Sequence, residues 1–223
     1  MEWVILNCFT GIFQTNGLTD TAAVIEAINP VVTGPMNKYL CQTFQAEEVH
    51  KALKQMHSKK SPSPNGMPPF FYQHFWSLSG ECVTNAVLDF LNLGIIPPNF
   101  NETHIVLIPK VNNSTKINQY RPINLSNVIS KLASKVLANR LKRFLPNIVS
   151  ENRSAFMSSR LITDNVLVAF VTMHYLNNKR HGRQGEMALK LNISKAFDRV
   201  ERGCLKDIML KIGFSDRWVN IMI

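Results

Sequence analysis

The stretch that most limits what this chain can fold into lies near its C-terminal end, Glu186-Met-Ala-Leu-Lys-Leu-Asn-Ile-Ser-Lys-Ala-Phe-Asp-Arg-Val200. Met187, Leu189 and Leu191 alternate with Ala188, Lys190 and Asn192. A period of two predicts a half-buried strand, bounded by Gly182 and Gly185 and followed by residues of helical composition. A polar residue at the strand tip, Asn192, with Asp198 six positions on, suits a phosphate or metal site. A plain strand-to-helix turn capped by Asn and Ser has the same spacing.

These residues resemble the first palm motif of reverse transcriptases from non-LTR (LINE-type) retrotransposons, plant elements especially. That motif reads hydrophobic strand, Asp, x-x-Lys-Ala-(Phe/Tyr)-Asp-(Arg/Lys)-Val. Lys195, Ala196, Phe197, Asp198, Arg199 and Val200 are all in place, and Asn192 stands where the family has Asp. The resemblance implies that this position binds divalent cations, Mg2+ or Mn2+, and that Phe197 screens out ribonucleotides. Two-metal catalysis sets cations roughly 3.5–4 Å apart, and magnesium relies on carboxylates. A carboxamide keeps an oxygen but loses the charge. Weak metal binding at Asn192 and little or no polymerisation are therefore expected.

Composition agrees with an acidic partner. The 223 residues carry a formal charge of +10, are 45% hydrophobic and include thirteen Phe, so the chain folds rather than staying disordered. Phosphate neutralisation makes nucleic acid the first candidate partner, beside an ordinary basic domain. Cys8, Cys41, Cys82 and Cys204 are far apart with no C-x-x-C pair, which argues against zinc and against a disulfide framework. The N-terminus has no basic leader, and no apolar run is of membrane-spanning length. An intracellular, non-secreted protein with no membrane association is the expectation.

In chain order, residues 1–42 read as a loosely structured lead-in with one short helix near Asp20–Ile28. Thr43–His57 is amphipathic, with Val49, Ala52, Leu53 and Met56 on one side. Ser58–Met67 is a basic turn; the family usually has Lys-x-Pro-Gly-Pro-Asp-Gly there, against Ser63 and Asn65 here. Phe70–Trp76 predicts a core-facing helix rather than a base-stacking platform, leading into a helix over 81–93 stopped by Gly94.

Thr103–Lys110 reads as a buried strand and Tyr120–Leu125 as its hairpin partner, with Lys110 and Arg121 near the ends. Two such cations could clamp a triphosphate or simply face solvent. Leu-Ile-Pro-Lys followed by Tyr-Arg-Pro-Ile resembles the fingers motif of the same reverse transcriptases, which implies that Lys110 and Arg121 approach the incoming deoxynucleotide or the template. Asn127–Leu145 predicts a helix with Ile129, Ala133, Val136, Leu137 and Phe144 on one side and Lys131, Lys135 and Lys142 opposite. That basic stripe suits a phosphate backbone or a solvated face. Residues 148–156 and 160–167 follow the family's template-contact pattern, which implies that role for Arg153 and Arg160. Thr163 or Asp164 caps a further helix with Val166, Phe170 and Met173 inward. Leu205–Ile212 is amphipathic, Gly213 ends it, and Ser215 or Asp216 starts one more helix.

The fold implied is α/β: the fingers plus the first part of the palm of a right-hand polymerase, incomplete, with 43–185 fingers-like and 186–223 the start of the palm. RNA template, DNA primer and deoxynucleotide triphosphates are the implied partners. No Asp-Asp pair occurs in the sequence, so this chain alone is expected to be inactive. The alternatives are a non-catalytic basic nucleic-acid-binding fragment or a non-functional transposon relic. The Gly-to-Ser and Asp-to-Asn departures at 63, 159, 65 and 192 each need one G-to-A change, a pattern of element decay. An unpaired palm strand would expose an edge and apolar surface and leave the fold marginally stable.

Overall fold

A computed structural model of the chain describes residues 2–14, 21–58, 64, 66–150, 161–179, 185–191 and 200–223. Eleven α-helices and one two-stranded antiparallel ribbon occur among them. They are α1 (Glu2–Phe13), α2 (Ala22–Glu26), α3 (Gly34–Leu40), α4 (Ala46–Lys54), α5 (Pro69–His74), α6 (Trp76–Leu88), β1 (Thr103–Pro109), β2 (Tyr120–Ser126), α7 (Val128–Lys142), α8 (Leu145–Ile148), α9 (Ile162–Asn178), α10 (Arg202–Ile212) and α11 (Asp216–Met222).

The core forms where α4, α6 and α7 meet. In α4, Val49, Ala52 and Leu53 are buried, as the helical period requires, and Glu48 accepts from the Gln45 N–H at 3.0 Å to cap its start. In α7, Asn127 caps the helix by accepting from the Ile129 N–H at 3.0 Å, while Val128, Leu132, Ala133, Val136 and Leu137 are buried. Burial of each Val or Leu contributes about 1.5–3 kcal/mol relative to exposure. Past Leu88 the helix widens into one π turn, Asp89–Leu93, which Gly94 ends at φ 73°. The aromatic run divides: Tyr72 is buried, whereas Phe70 and Phe75 are exposed.

Residues 30–42 are not a loose lead-in, because they lock onto the far end of the chain. Asn37 donates to the Gly213 carbonyl at 2.7 Å and accepts from the Ser215 N–H at 2.9 Å. The Val31 and Val32 N–H groups both reach the Ile212 carbonyl. Trp218 and Val219 on α11 are fully buried beside this joint, and Gly213 stops α10 at φ 106° as its position predicts.

One buried cation joins three of these segments. Arg140 on α7 is 5% exposed and donates from Nε and Nη2 to the two Glu48 carboxylate oxygens, each at 2.7 Å. It also donates to the carbonyls of Leu40 (2.9 Å), Gln42 (2.5 Å) and Thr43 (3.1 Å), and its guanidinium lies 3.6 Å from the Phe44 ring centre. This fork places the chain entering α4 against α7.

Three expectations are corrected. The β1 strand is not buried: Ile105, Val106 and Ile108 are 42–47% exposed, because among the described residues the ribbon has two strands and no third strand pairs with it. Residues 185–191 form no strand; Met187, Leu189 and Leu191 are exposed, with no neighbouring strand among the described residues to complete a ladder. On α9, Val166, Phe170 and Met173 face outward, 50–68% exposed, since no described element packs along that helix. Asp164 does cap α9, accepting from the Leu161 N–H at 2.9 Å.

Candidate nucleic-acid interface

The hairpin places its two cations on one face. β1 and β2 pair with Ile108 opposite Arg121 and Pro109 opposite Tyr120, and the Lys110 N–H continues the ladder to the Gln119 carbonyl at 2.7 Å. Alternation then sets Lys110 diagonally beside Arg121, a separation of about 7–8 Å in such ladders. Both are exposed. The connecting loop holds itself: Gln119 Oε1 accepts from the Thr115 and Lys116 N–H groups, and Tyr120 donates to the Ser114 carbonyl at 2.9 Å. The Lys110 ammonium donates to the Asn118 carbonyl at 2.9 Å, so it is anchored at the ribbon's tip.

The lysine stripe of α7 exists but serves two surfaces. Lys135 and Lys142 line a concavity of about 410 Å³ together with Asn139, Arg143 and, from α4, Lys51 and Gln55. Lys131 instead borders a larger groove of about 760 Å³ between α7, the base of the hairpin and α11. Arg143 is held by a cation–π contact 4.9 Å from the Tyr39 ring centre. Sequence reasoning missed Lys51, Arg143 and the buried Arg140. A simple signal was available: from Thr103 to Ser150 the chain has eight Lys and Arg and no Asp or Glu.

Asn192, Phe197, Asp198, Arg153 and Arg160 lie outside the described residues. Among the described residues no group of three or more His, Cys, Asp and Glu is placed to hold a metal ion. Nor is any helix among them long and apolar enough to cross a membrane. Among the described residues this surface is cationic and open.

Comparison with known proteins finds relatives among proteins of transposable elements. A 193-residue stretch, 86% of the chain, is 27% identical to the transposon TX1 uncharacterized 149 kDa protein of Xenopus laevis. A stretch of 164 residues, 72% of the chain, is 24% identical to a retrovirus-related Pol polyprotein from type-2 retrotransposable element R2DM of Drosophila melanogaster. The type-1 retrotransposable element R2 of Popillia japonica has a Pol polyprotein 22% identical over 127 residues, 57% of the chain. The chain spans only 14%, 14% and 17% of those three proteins, respectively. These relatives bear out the expectation of a retrotransposon protein, and residues 108–222, from the end of β1 through α11, match the family model of reverse transcriptase (RNA-dependent DNA polymerase). The chain belongs to the reverse transcriptase family.

Proposed function

We propose that this chain is the template- and primer-holding part of a non-LTR retrotransposon reverse transcriptase, and that it does not itself polymerise. The observation that carries the reading is the overlap between the family match over 108–222 and the carboxylate-free basic stretch 103–150. In this reading residues 43–185 act as fingers and 186–223 begin the palm. Lys110 and Arg121 meet the phosphates of the incoming nucleotide or the template. Lys131, Lys135, Lys142, Arg153 and Arg160 neutralise backbone phosphates, and Phe197 packs against the sugar beside Asp198.

The family generally uses divalent ions such as Mg2+, which supply charge stabilisation at the attacking and leaving oxygens. The motif position of this chain does not suit that ion: Asn192 offers a neutral oxygen where a carboxylate would supply charge. The proposed role therefore rests on grip alone.

The test is fluorescence anisotropy with a labelled RNA template annealed to a DNA primer, titrated at several salt concentrations, beside a primer-extension assay with all four deoxynucleotides and Mg2+. Salt-sensitive binding without extension is expected, with Lys110→Gln/Arg121→Gln lowering affinity. Extended primer would overturn the claim of inactivity. Absence of binding at low salt would overturn the claim of grip and favour a relic.

A further inference from the structure

We infer that the concavity between α4 and α7 is a phosphate-backbone site for one strand of the nucleic acid, built by Lys51 and Arg143 together with Lys135 and Lys142. It rests on the proposed nucleic-acid role, and it adds two residues and a second helix to the α7 stripe.

The concavity, about 410 Å³, takes four cations and two amides, Gln55 and Asn139, and no carboxylate lines it. Lysine and arginine donate to phosphate oxygens, and the amide NH2 groups add neutral donors at the rim. Helix ends alone do not account for this set. Cations favour a helix C-terminus, and Lys51, Lys142 and Arg143 sit at or near the ends of α4 and α7. That effect fades beyond the last turn, yet Lys135 lies two turns before Lys142 and still faces the concavity.

The site is also held in shape. Glu48, one turn before Lys51 on α4, is clamped by Arg140 of α7, which fixes Lys51 relative to the α7 lysines. Arg143 is steadied over Tyr39, whose ring in turn meets Phe144 edge-on at 5.5 Å. The seven-residue step from Lys135 to Lys142 spans roughly 10 Å of helix axis. One strand of a duplex advances about 3.4 Å per phosphate, so the row reaches about three phosphates. An extended run of cations in an open concavity suits a chain of phosphates better than a single small anion.

The experiment measures the salt dependence of binding of the full 223-residue chain to an RNA template–DNA primer duplex, for the unaltered protein, Lys51→Gln, Arg143→Gln, the double variant and Lys206→Gln. Lys206, exposed on α10 outside the concavity, controls for net charge. Each lost phosphate contact lowers the slope of log K against log salt by about 0.7–0.9. The double variant is expected to lose about 1.5 from the slope, each single variant about half of that, and Lys206→Gln much less. Circular dichroism confirms that each variant keeps its helices. If the unaltered chain binds and the double variant keeps its slope, the site is refuted while the nucleic-acid role stands. Equal loss in Lys206→Gln and the double variant, scaled per charge, also refutes it, since net charge then explains everything. If the unaltered chain does not bind at all, both readings fall together.

Discussion

Replacing Arg140 tests whether the guanidinium fork, rather than apolar packing alone, holds the N-terminal segment to α7. Arg140 makes five hydrogen bonds, two to Glu48 and three to the carbonyls of Leu40, Gln42 and Thr43. Breaking a buried pair by removing one partner costs ~3–5 kcal/mol, because the other groups stay desolvated. The Glu48 side chain is 31% exposed and regains water when freed, so the lower part of that range applies to the pair. Three carbonyls lose their donor as well, each a further penalty of up to ~1–3 kcal/mol where water cannot reach. A loss of about 4 kcal/mol is a large share of the ~5–15 kcal/mol that folds a typical domain. At ~2–4 °C per kcal/mol for a chain of this length, Arg140→Met should lower Tm by roughly 8–16 °C. Arg140→Lys keeps the charge but not the planar fork, and most of the loss should remain. Glu48→Gln still accepts one hydrogen bond and should cost less than Arg140→Met. Thermal unfolding followed by circular dichroism at neutral pH measures all three. A Tm for Arg140→Lys within about 2 °C of the unaltered chain would show that charge alone suffices and refute the argument from the fork.

Burial raises the Glu48 pKa, but the Arg140 hydrogen bond, the Gln45 N–H and the guanidinium charge together outweigh it and hold the carboxyl below its ordinary value. A depressed folded pKa gives stability that is present above the unfolded value and lost as pH falls through the folded one; urea midpoints should therefore drop below about pH 4.5 in the unaltered chain and drop less steeply in Glu48→Gln. Gly213→Ala should destabilise by about 1–3 kcal/mol, read as a lower Tm, because φ is 106° and a Cβ would meet the Val32 carbonyl oxygen at 2.9 Å. Asn92 brackets Phe44 with two hydrogen bonds, 2.8 Å to its N–H and 3.2 Å to its carbonyl; Asn92→Ala should cost about 1–3 kcal/mol in urea unfolding. Asn192→Asp should strengthen Mn2+ binding, followed by the ion's proton-relaxation enhancement, and an unchanged affinity would remove Asn192 from the metal position.

The helices legible in the sequence were those whose apolar period closes on a partner within the described residues. Val49, Ala52 and Leu53 on α4 share one buried core with Val136 and Leu137 on α7, which packs against α4, so local pattern and tertiary burial agree. Arg140 was missed because a lone arginine reads as surface charge, although it falls on the same arc as Val136, Leu137 and Phe144. Position, not residue type, was the informative signal there. The long joint from Asn37 to Gly213 and Ser215 has no sequence signature at all, since its strength comes from two backbone groups brought together across the chain.

The failures share one physical cause. The period of two in 187–191 and the apolar residues of α9 are real patterns, but a strand needs a ladder and an apolar helix needs a surface. Neither finds one among the described residues. Both precede the motif that carries Asn192, whereas the buried core of the described residues draws on Val32 through Leu137 and Met209 through Val219. Among the described residues the buried core thus lies away from 185–191, the stretch that leads into Asn192. A change at Asn192 should register in metal binding while leaving Tm close to that of the unaltered chain, and a change at Arg140 should do the reverse. That pairing separates loss of fold from loss of chemistry within one protein.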